Sequence, residues 1–363
     1  MITGHATAEA TAAFRKRFTG RVAPEHFREA EGLAWSSIGI GTYLGNADAT
    51  TDRLVTDAVC RAVGEGINVI DTAINYRFER GEKSVGAALR RLIDAGAAVR
   101  HEIILCTKGG YLPHPARAQW FAETYVGRDG ISMADLVGGS HCMHPAYLRG
   151  ELERSRTNLG VATIDVYYVH NPESQVGKVD GATFHDRLRA AFAMLEEAVA
   201  AGTIRAYGIA SWNAFRVKEG DRGFISLARA KALAREAAGG DDHFRFIQLP
   251  LNLATREAVT LPTQRIGNAV LSAIPAARAL GLRVIASGAI AQGRFGALPA
   301  KLAARLGAAL VDDAPRALQY TRSAPGVLTA LVGMKQPAHV AANLALTEVA
   351  PLDSAAFDSL FKP

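Results

Sequence analysis

Short apolar runs alternate with longer amphipathic stretches along most of this chain. The short runs are rich in Val, Ile and Tyr, as buried strands are. Eight can be marked: 38–42 (IGIGT), 68–73 (NVIDTA), 103–108 (IILCTK), 164–170 (IDVYYVH), 206–211 (AYGIAS), 246–251 (FIQLPL), 283–288 (RVIASG) and 329–334 (TALVGM). The segments between them carry a helical period. Leu54, Val55, Ala58, Val59, Ala62 and Val63 form one stripe, and Val85, Ala88, Leu89, Leu92 and Ile93 another. Leu188, Ala191, Phe192, Leu195 and Val199 repeat it, with Gly202 as a helix stop. Eight strand–helix repeats predict an α/β protein, a closed (β/α)8 TIM barrel rather than an open sheet. Such a barrel carries its chemistry at the carboxyl ends of its strands.

Two excursions interrupt the rhythm. Residues 1–35 precede the first strand as an N-terminal extension, and 347–363 follow the barrel (36–346) as a tail. Residues 109–147 separate the third strand from its helix, where about two to six residues are usual. An insertion there lies on the catalytic face, as lid, pocket wall or filler. Its Trp120, Phe121, Tyr125 and Met133 fit either a cover that excludes water or a satellite core.

Composition narrows the function classes. The net charge of +6 is mild, and Lys and Arg are scattered among acids, which speaks against a nucleic-acid partner. Three well-separated cysteines without a C-x-x-C suit a reducing compartment. No apolar run reaches the roughly 18–20 residues of a membrane span, and the first residues lack the apolar core of a secretory signal. A soluble, cytoplasmic protein is expected, without membrane partner. HCMH (141–144), with His114 nearby, offers metal-ligand types but no evident fourth partner, so no metal is expected.

The strands close on polar residues: Asp71, Lys108, His170, Ser211 and Gln248, with Tyr76 just beyond the second. Singly these have ordinary readings, since a strand-end Asp often caps the next helix and a loop Tyr often only packs. Together they fit one mechanism. A phenol with a pKa of about 10 trades its proton reluctantly. A neighbouring ammonium lowers that value. Lys108 can supply it, Asp71 can hold Lys108, and Tyr76 then protonates a carbonyl oxygen as hydride reaches its carbon. His170 would orient the carbonyl or pass the proton on.

With GIGTYLG, DTAINY, CTKGG, IDVYYVHNP, YGIASWN, FIQLPLN, AQG and ALVGMKQPAHVAANL in this order, the chain resembles the aldo-keto reductases over residues 36–346. The resemblance implies a catalytic tetrad of Asp71, Tyr76, Lys108 and His170. It implies NADPH as cofactor, or less often NADH, with a small carbonyl or alcohol substrate. Cofactor contacts would come from Gly41, Thr42, Tyr43 and Asp71, from Ser211 and Gln248 on the carboxamide, and from Ser287, Gly288 and Gln292. Gly333, Met334, Lys335, His339 and Asn343 would complete the set, Lys335 and His339 at the adenosine 2′-phosphate and Asn343 at the adenine. A helix starting near Pro337 is a natural seat for that phosphate. Gly39, Gly41 and Gly45 imitate a dinucleotide-fold glycine loop, but their spacing is one residue too long.

The chain also departs from the family. Ala210-Ser211 stands where many members have Ser-Asn, Ser287 where an aromatic often stacks on the nicotinamide, and Ala342 where an acid often precedes the adenine Asn. These bear on cofactor affinity, not on the tetrad. Two other classes remain: a nicotinamide-binding regulatory subunit with little turnover, and a redox-neutral epimerase or lyase with retained nicotinamide. The sequence leaves monomer or homo-oligomer open.

Overall fold

The computed structural model describes residues 1–294 and 296–362. The eight apolar runs form eight parallel strands, each within two residues of its expected bounds. They are β1 (Ile38–Gly41), β2 (Val69–Asp71), β3 (Ile104–Gly109), β4 (Ile164–His170), β5 (Ile204–Ala210), β6 (Phe244–Pro250), β7 (Arg283–Ser287) and β8 (Val327–Gly333). Neighbours in sequence pair in space, and β8 pairs with β1, so the sheet closes. Helix α1 (Ala8–Arg17) precedes the barrel, and α2 (Ala49–Gly64) and α3 (Arg80–Asp94) follow β1 and β2. The insertion contributes α4 (Arg117–Thr124) before α5 (Pro145–Leu159). The later strands lead to α6 (Gly181–Ala200), α7 (Leu227–Ala238), α8 (Ala273–Ala279), α9 (Asp313–Ser323) and α10 (Pro337–Leu344). Among the described residues no helix is long and apolar enough to cross a membrane.

Alternation along the strands sorts the side chains into two cores. Val69, Ile104, Cys106, Val166, Tyr168 and Phe246 fill the barrel, while the helix stripes pack its outside, Val55, Ala58, Val59 and Val63 of α2 among them. The first residues close the amino-terminal end. Ile2 exchanges backbone hydrogen bonds with Gly160 and Ala162, and the Ala6 N–H donates to Asp165 Oδ1, whose Oδ2 takes Arg100. A hairpin of Phe27–Ala30 and Leu33–Ser36 carries Trp35 against Phe246 at 5.3 Å. With that end closed, the open end is the one on which the strands terminate.

The aromatics of the insertion take the packing alternative. Phe121 is fully buried, Trp120 stacks on His114 at 5.5 Å, and Tyr125 meets Tyr147 at 5.0 Å. Met133 is exposed. A different part of the insertion reaches the site, as described below.

Between β2 and α3 the backbone makes a left-handed turn. Arg77, Phe78 and Glu79 have φ of 52°, 55° and 69°, a region costing roughly 1 kcal/mol or more per non-glycine residue. Long-range pairs hold it: Arg77 to Asp52 at 2.6 Å and Arg154 to Glu79 at 3.0 Å. One turn further, Glu82 is fully buried and accepts from Thr107 Oγ1 and Asn158 Nδ2. Burial dominates and raises its carboxyl to about 7 from an ordinary 4.5. Between those values the folded chain holds a proton that the unfolded chain releases, so stability falls as pH rises through the window and stays lower above it. Glu82→Gln is therefore expected to stabilise by about 1–3 kcal/mol at pH 8 and by almost nothing at pH 4. Urea unfolding at both pH values measures this, and an equal effect at the two would remove the assignment.

Candidate active site

A cavity of about 700 Å³ opens at the carboxyl ends of the strands. Of the residues expected there, all but Lys108 and Asn343 contribute to its wall. Lys108 lies beneath it, with no exposed surface. Cys106 and Lys108 alternate with Thr107 on β3, so Lys108 points inward while Thr107 points out to Glu82. Its ammonium has three N–H groups and three acceptors: Asp71 Oδ1 at 2.5 Å, the Thr72 carbonyl at 2.7 Å and Tyr76 Oη at 3.2 Å. Asp71 Oδ2 takes Gln248 Nε2 at 2.8 Å. Both carboxylate oxygens thus accept, which is the hydrogen-bonding pattern of the ionised form.

The electrostatics follow from depth. Burial works against the Lys108 ammonium, but Asp71 and Tyr76 outweigh it and lift Lys108 above its ordinary value. For Tyr76 the balance runs differently from the sequence expectation. Burial raises the phenol, Lys108 pulls it down and Asp71 pushes it up, leaving it above rather than below the ordinary range. The phenol therefore stays protonated throughout the neutral range, and the ammonium limits the rise instead of reversing it.

His170, at the end of β4, lies edge-on to Tyr76 with ring centres 5.8 Å apart. Burial first, then Lys108 and His141, push it well below an ordinary histidine, so its imidazole is neutral. His141 supports it from below. One ring nitrogen of His141, Nε2, donates to the His170 carbonyl at 2.8 Å, and Nδ1 accepts from Gln175 Nε2 at 3.1 Å. Burial holds His141 neutral, down to about 4, which suits this single tautomer. In the same HCMH motif, His144 accepts from the Ala146 N–H at the start of α5. Among the described residues no three His, Cys, Asp or Glu side chains gather as metal ligands.

Glu173 is a site residue that the sequence reading missed. It sits in a short turn after β4, and its Oε1 accepts from Ser211 Oγ at 2.9 Å, the Trp212 N–H at 2.7 Å and the Asn213 N–H at 3.1 Å. The Ser211 hydroxyl also accepts from the Ala214 N–H at 2.7 Å. Its proton and one lone pair are therefore committed, which leaves one lone pair for the expected carboxamide. Gln248 gives one amide N–H to Asp71 and keeps its second N–H and its carbonyl oxygen. Only the acid two residues after His170-Asn171 could have signalled this, and an acid in a loop is ordinary.

Trp212 leans across β6. Its Cη2 lies 3.8 Å from where a Cβ on Gly288 would stand, beside the small Ser287 at the end of β7. Lys335 and His339, at the start of α10, also line the cavity. Asn343 is buried on the inner face of α10, with its amide nitrogen 3.8 Å from Met334 Sδ and no partner for its amide oxygen among the described residues. Glycine backbone at Gly41, Gly288 and Gly333, with a cation and a histidine at a helix start, fits a phosphate-bearing dinucleotide.

The model of the aldo/keto reductase family matches residues 37–297. A 6-dehydroglucose reductase of Novosphingobium aromaticivorans is 28% identical over 193 residues, covering 52% of each chain. An NADH-specific methylglyoxal reductase of Escherichia coli is 30% identical over 195 residues, again 52% of each. The match thus spans about half the length of these relatives. An aldo/keto reductase from Klebsiella pneumoniae, solved with NADP and acetate, superposes with a TM-score of 0.63 at 21% identity, over 93% of this chain and 94% of that one. That likeness bears on the fold.

Proposed function

The chain belongs to the aldo/keto reductase family, and from that premise we propose that it is an NADPH-dependent oxidoreductase reducing an aldehyde or ketone to an alcohol, or running the reverse. The observation that carries this reading is the continuous set Asp71–Lys108–Tyr76, with Asp71 and Tyr76 in the cavity wall, Lys108 beneath it and a neutral His170 beside them.

NADPH, when bound, supplies the hydride. Gly41, Thr42, Tyr43, Gln248, Ser287, Gly288 and Gln292 would hold its nicotinamide half, with Gly333, Met334, Lys335 and His339 toward the phosphates. Tyr76 Oη gives its proton to the carbonyl oxygen of the substrate. The phenolate left behind lies 3.2 Å from the Lys108 ammonium, which stabilises it where water is scarce. Asp71 keeps Lys108 charged and aimed. A neutral His170 can offer one N–H to the carbonyl oxygen and so orient it, but has no imidazolium proton to give. That supports Tyr76 as the acid.

Lys335 favours NADPH over NADH, because a 2′-phosphate gains a charge-assisted contact worth about 1.5–3 kcal/mol. Trp212 lines the cavity, so tryptophan emission should report occupancy. Titration is expected to give saturable quenching, with NADPH at least about tenfold tighter than NADH and the difference lost in Lys335→Ala. Absence of binding by either nucleotide would defeat the reading even though the barrel stands.

A further inference from the structure

We propose that the carbonyl substrate carries an anionic group, carboxylate or phosphate, and that Arg117 selects for it. This deepens the reductase reading and rests on it. Arg117 begins α4 in the insertion, and it lines the cavity on the wall that also carries Tyr111, whose ring lies 5.4 Å from His170. Through Tyr111 the insertion reaches the end of the cavity where His170 stands.

Within the cavity wall, charge accounting singles Arg117 out. Among the described residues its guanidinium has no carboxylate within 4.0 Å and makes no side-chain hydrogen bond, whereas Arg77, Arg100 and Arg154 are paired. Asp71 is the one acid among the described residues lining the cavity, and both of its oxygens are engaged. No acid of the wall is free to neutralise Arg117. Lys335, the other Lys or Arg in the wall, has a use in the cofactor phosphate, which leaves Arg117 without one. Its backbone adds a second sign, since φ is 37°, a left-handed conformation that non-glycine residues adopt rarely and often where a ligand is met.

The chemistry of the ligand follows. A guanidinium is a planar fork of donors that fits a carboxylate or a phosphate with two parallel hydrogen bonds. Phe78 and Trp212, about half exposed, line the same cavity and offer apolar faces. The expected substrate is thus an aldehyde or ketone joined through an apolar or planar middle to an anionic end.

Three matched probes test this: 4-formylbenzoate, 4-formylphenyl phosphate and the neutral 4-methylbenzaldehyde. kcat/KM is measured with NADPH for the wild type, Arg117→Gln and Arg117→Lys. In parallel, calorimetry follows binding of each probe to protein saturated with NADP. The wild type should favour one anionic probe at least about tenfold, and the better anion identifies the group. Arg117→Gln should cut the anionic-to-neutral ratio about 10- to 100-fold, in turnover and in binding, while Arg117→Lys keeps part of it. Salt should erode the wild-type preference.

A wild type with no anionic preference, or a ratio unchanged by Arg117→Gln, overturns the proposal. Failure of the reductase reading looks different: no probe is turned over, yet calorimetry still finds anion binding that depends on Arg117. If neither anion binds by calorimetry, the proposal also falls.

Discussion

Tyr76→Phe is expected to lower carbonyl reduction by about 10²- to 10⁴-fold, the usual contribution of a positioned general acid. The loss should fall on kcat, because the hydroxyl acts on the reacting oxygen rather than on binding. The fold should survive. In the protein that hydroxyl makes one hydrogen bond, at 3.2 Å to Lys108, and the Phe ring keeps the edge contacts with Tyr43 and His170. Nucleotide binding should therefore change little, which separates lost chemistry from lost structure. The pH profile adds a check. Burial raises the phenol above its ordinary value, so wild-type reduction should be flat through the neutral range and fall only at high pH. A variant that keeps a third or more of the wild-type rate would mean that the proton comes from elsewhere, and Tyr76 would lose its role.

Lys108→Met should be worse, since it fails in two ways. Removing one member of a buried ion pair leaves the other charge uncompensated, at a cost of about 3–5 kcal/mol. Here that charge is Asp71, closed off from solvent, with Gln248 as its one remaining side-chain partner. The phenol also loses the cation that limits its pKa, so the proton it must give becomes harder to release. The double variant Asp71→Asn/Lys108→Met separates the two effects. Replacing both charges by neutral groups is often close to neutral for stability, so the double variant should recover much of the unfolding free energy and none of the rate. Urea unfolding and kcat on the two variants read this directly. Recovery of both together would assign Lys108 a purely structural role.

The barrel was legible because its signals are local. Each strand is a short apolar run, and Asp71, Lys108 and His170 stand at or next to the ends of three of them. What escaped depends on contacts across sequence. Glu173 matters because the 211–214 turn folds down onto it, 38 to 40 residues away. His141 belonged to a motif weighed for metal and set aside, and its role appears only when Gln175 and the His170 carbonyl close on its two nitrogens. The sign of the Tyr76 shift needed burial, a sum over the whole fold, whereas the ammonium alone was visible. The left-handed turn at 77–79 has no glycine to announce it.

The seating of the first residues bears on the order in which the nascent chain can fold. Ile2 and Ala6 hold positions completed by Gly160, Ala162 and Asp165. At about 5–20 residues per second on the ribosome, those partners arrive roughly 8–30 seconds after the segment that needs them. During that interval α1, with the phenyl rings of Phe14 and Phe18, has no finished barrel floor to cover. This segment is thus made well before the partners that seat it, and it docks late.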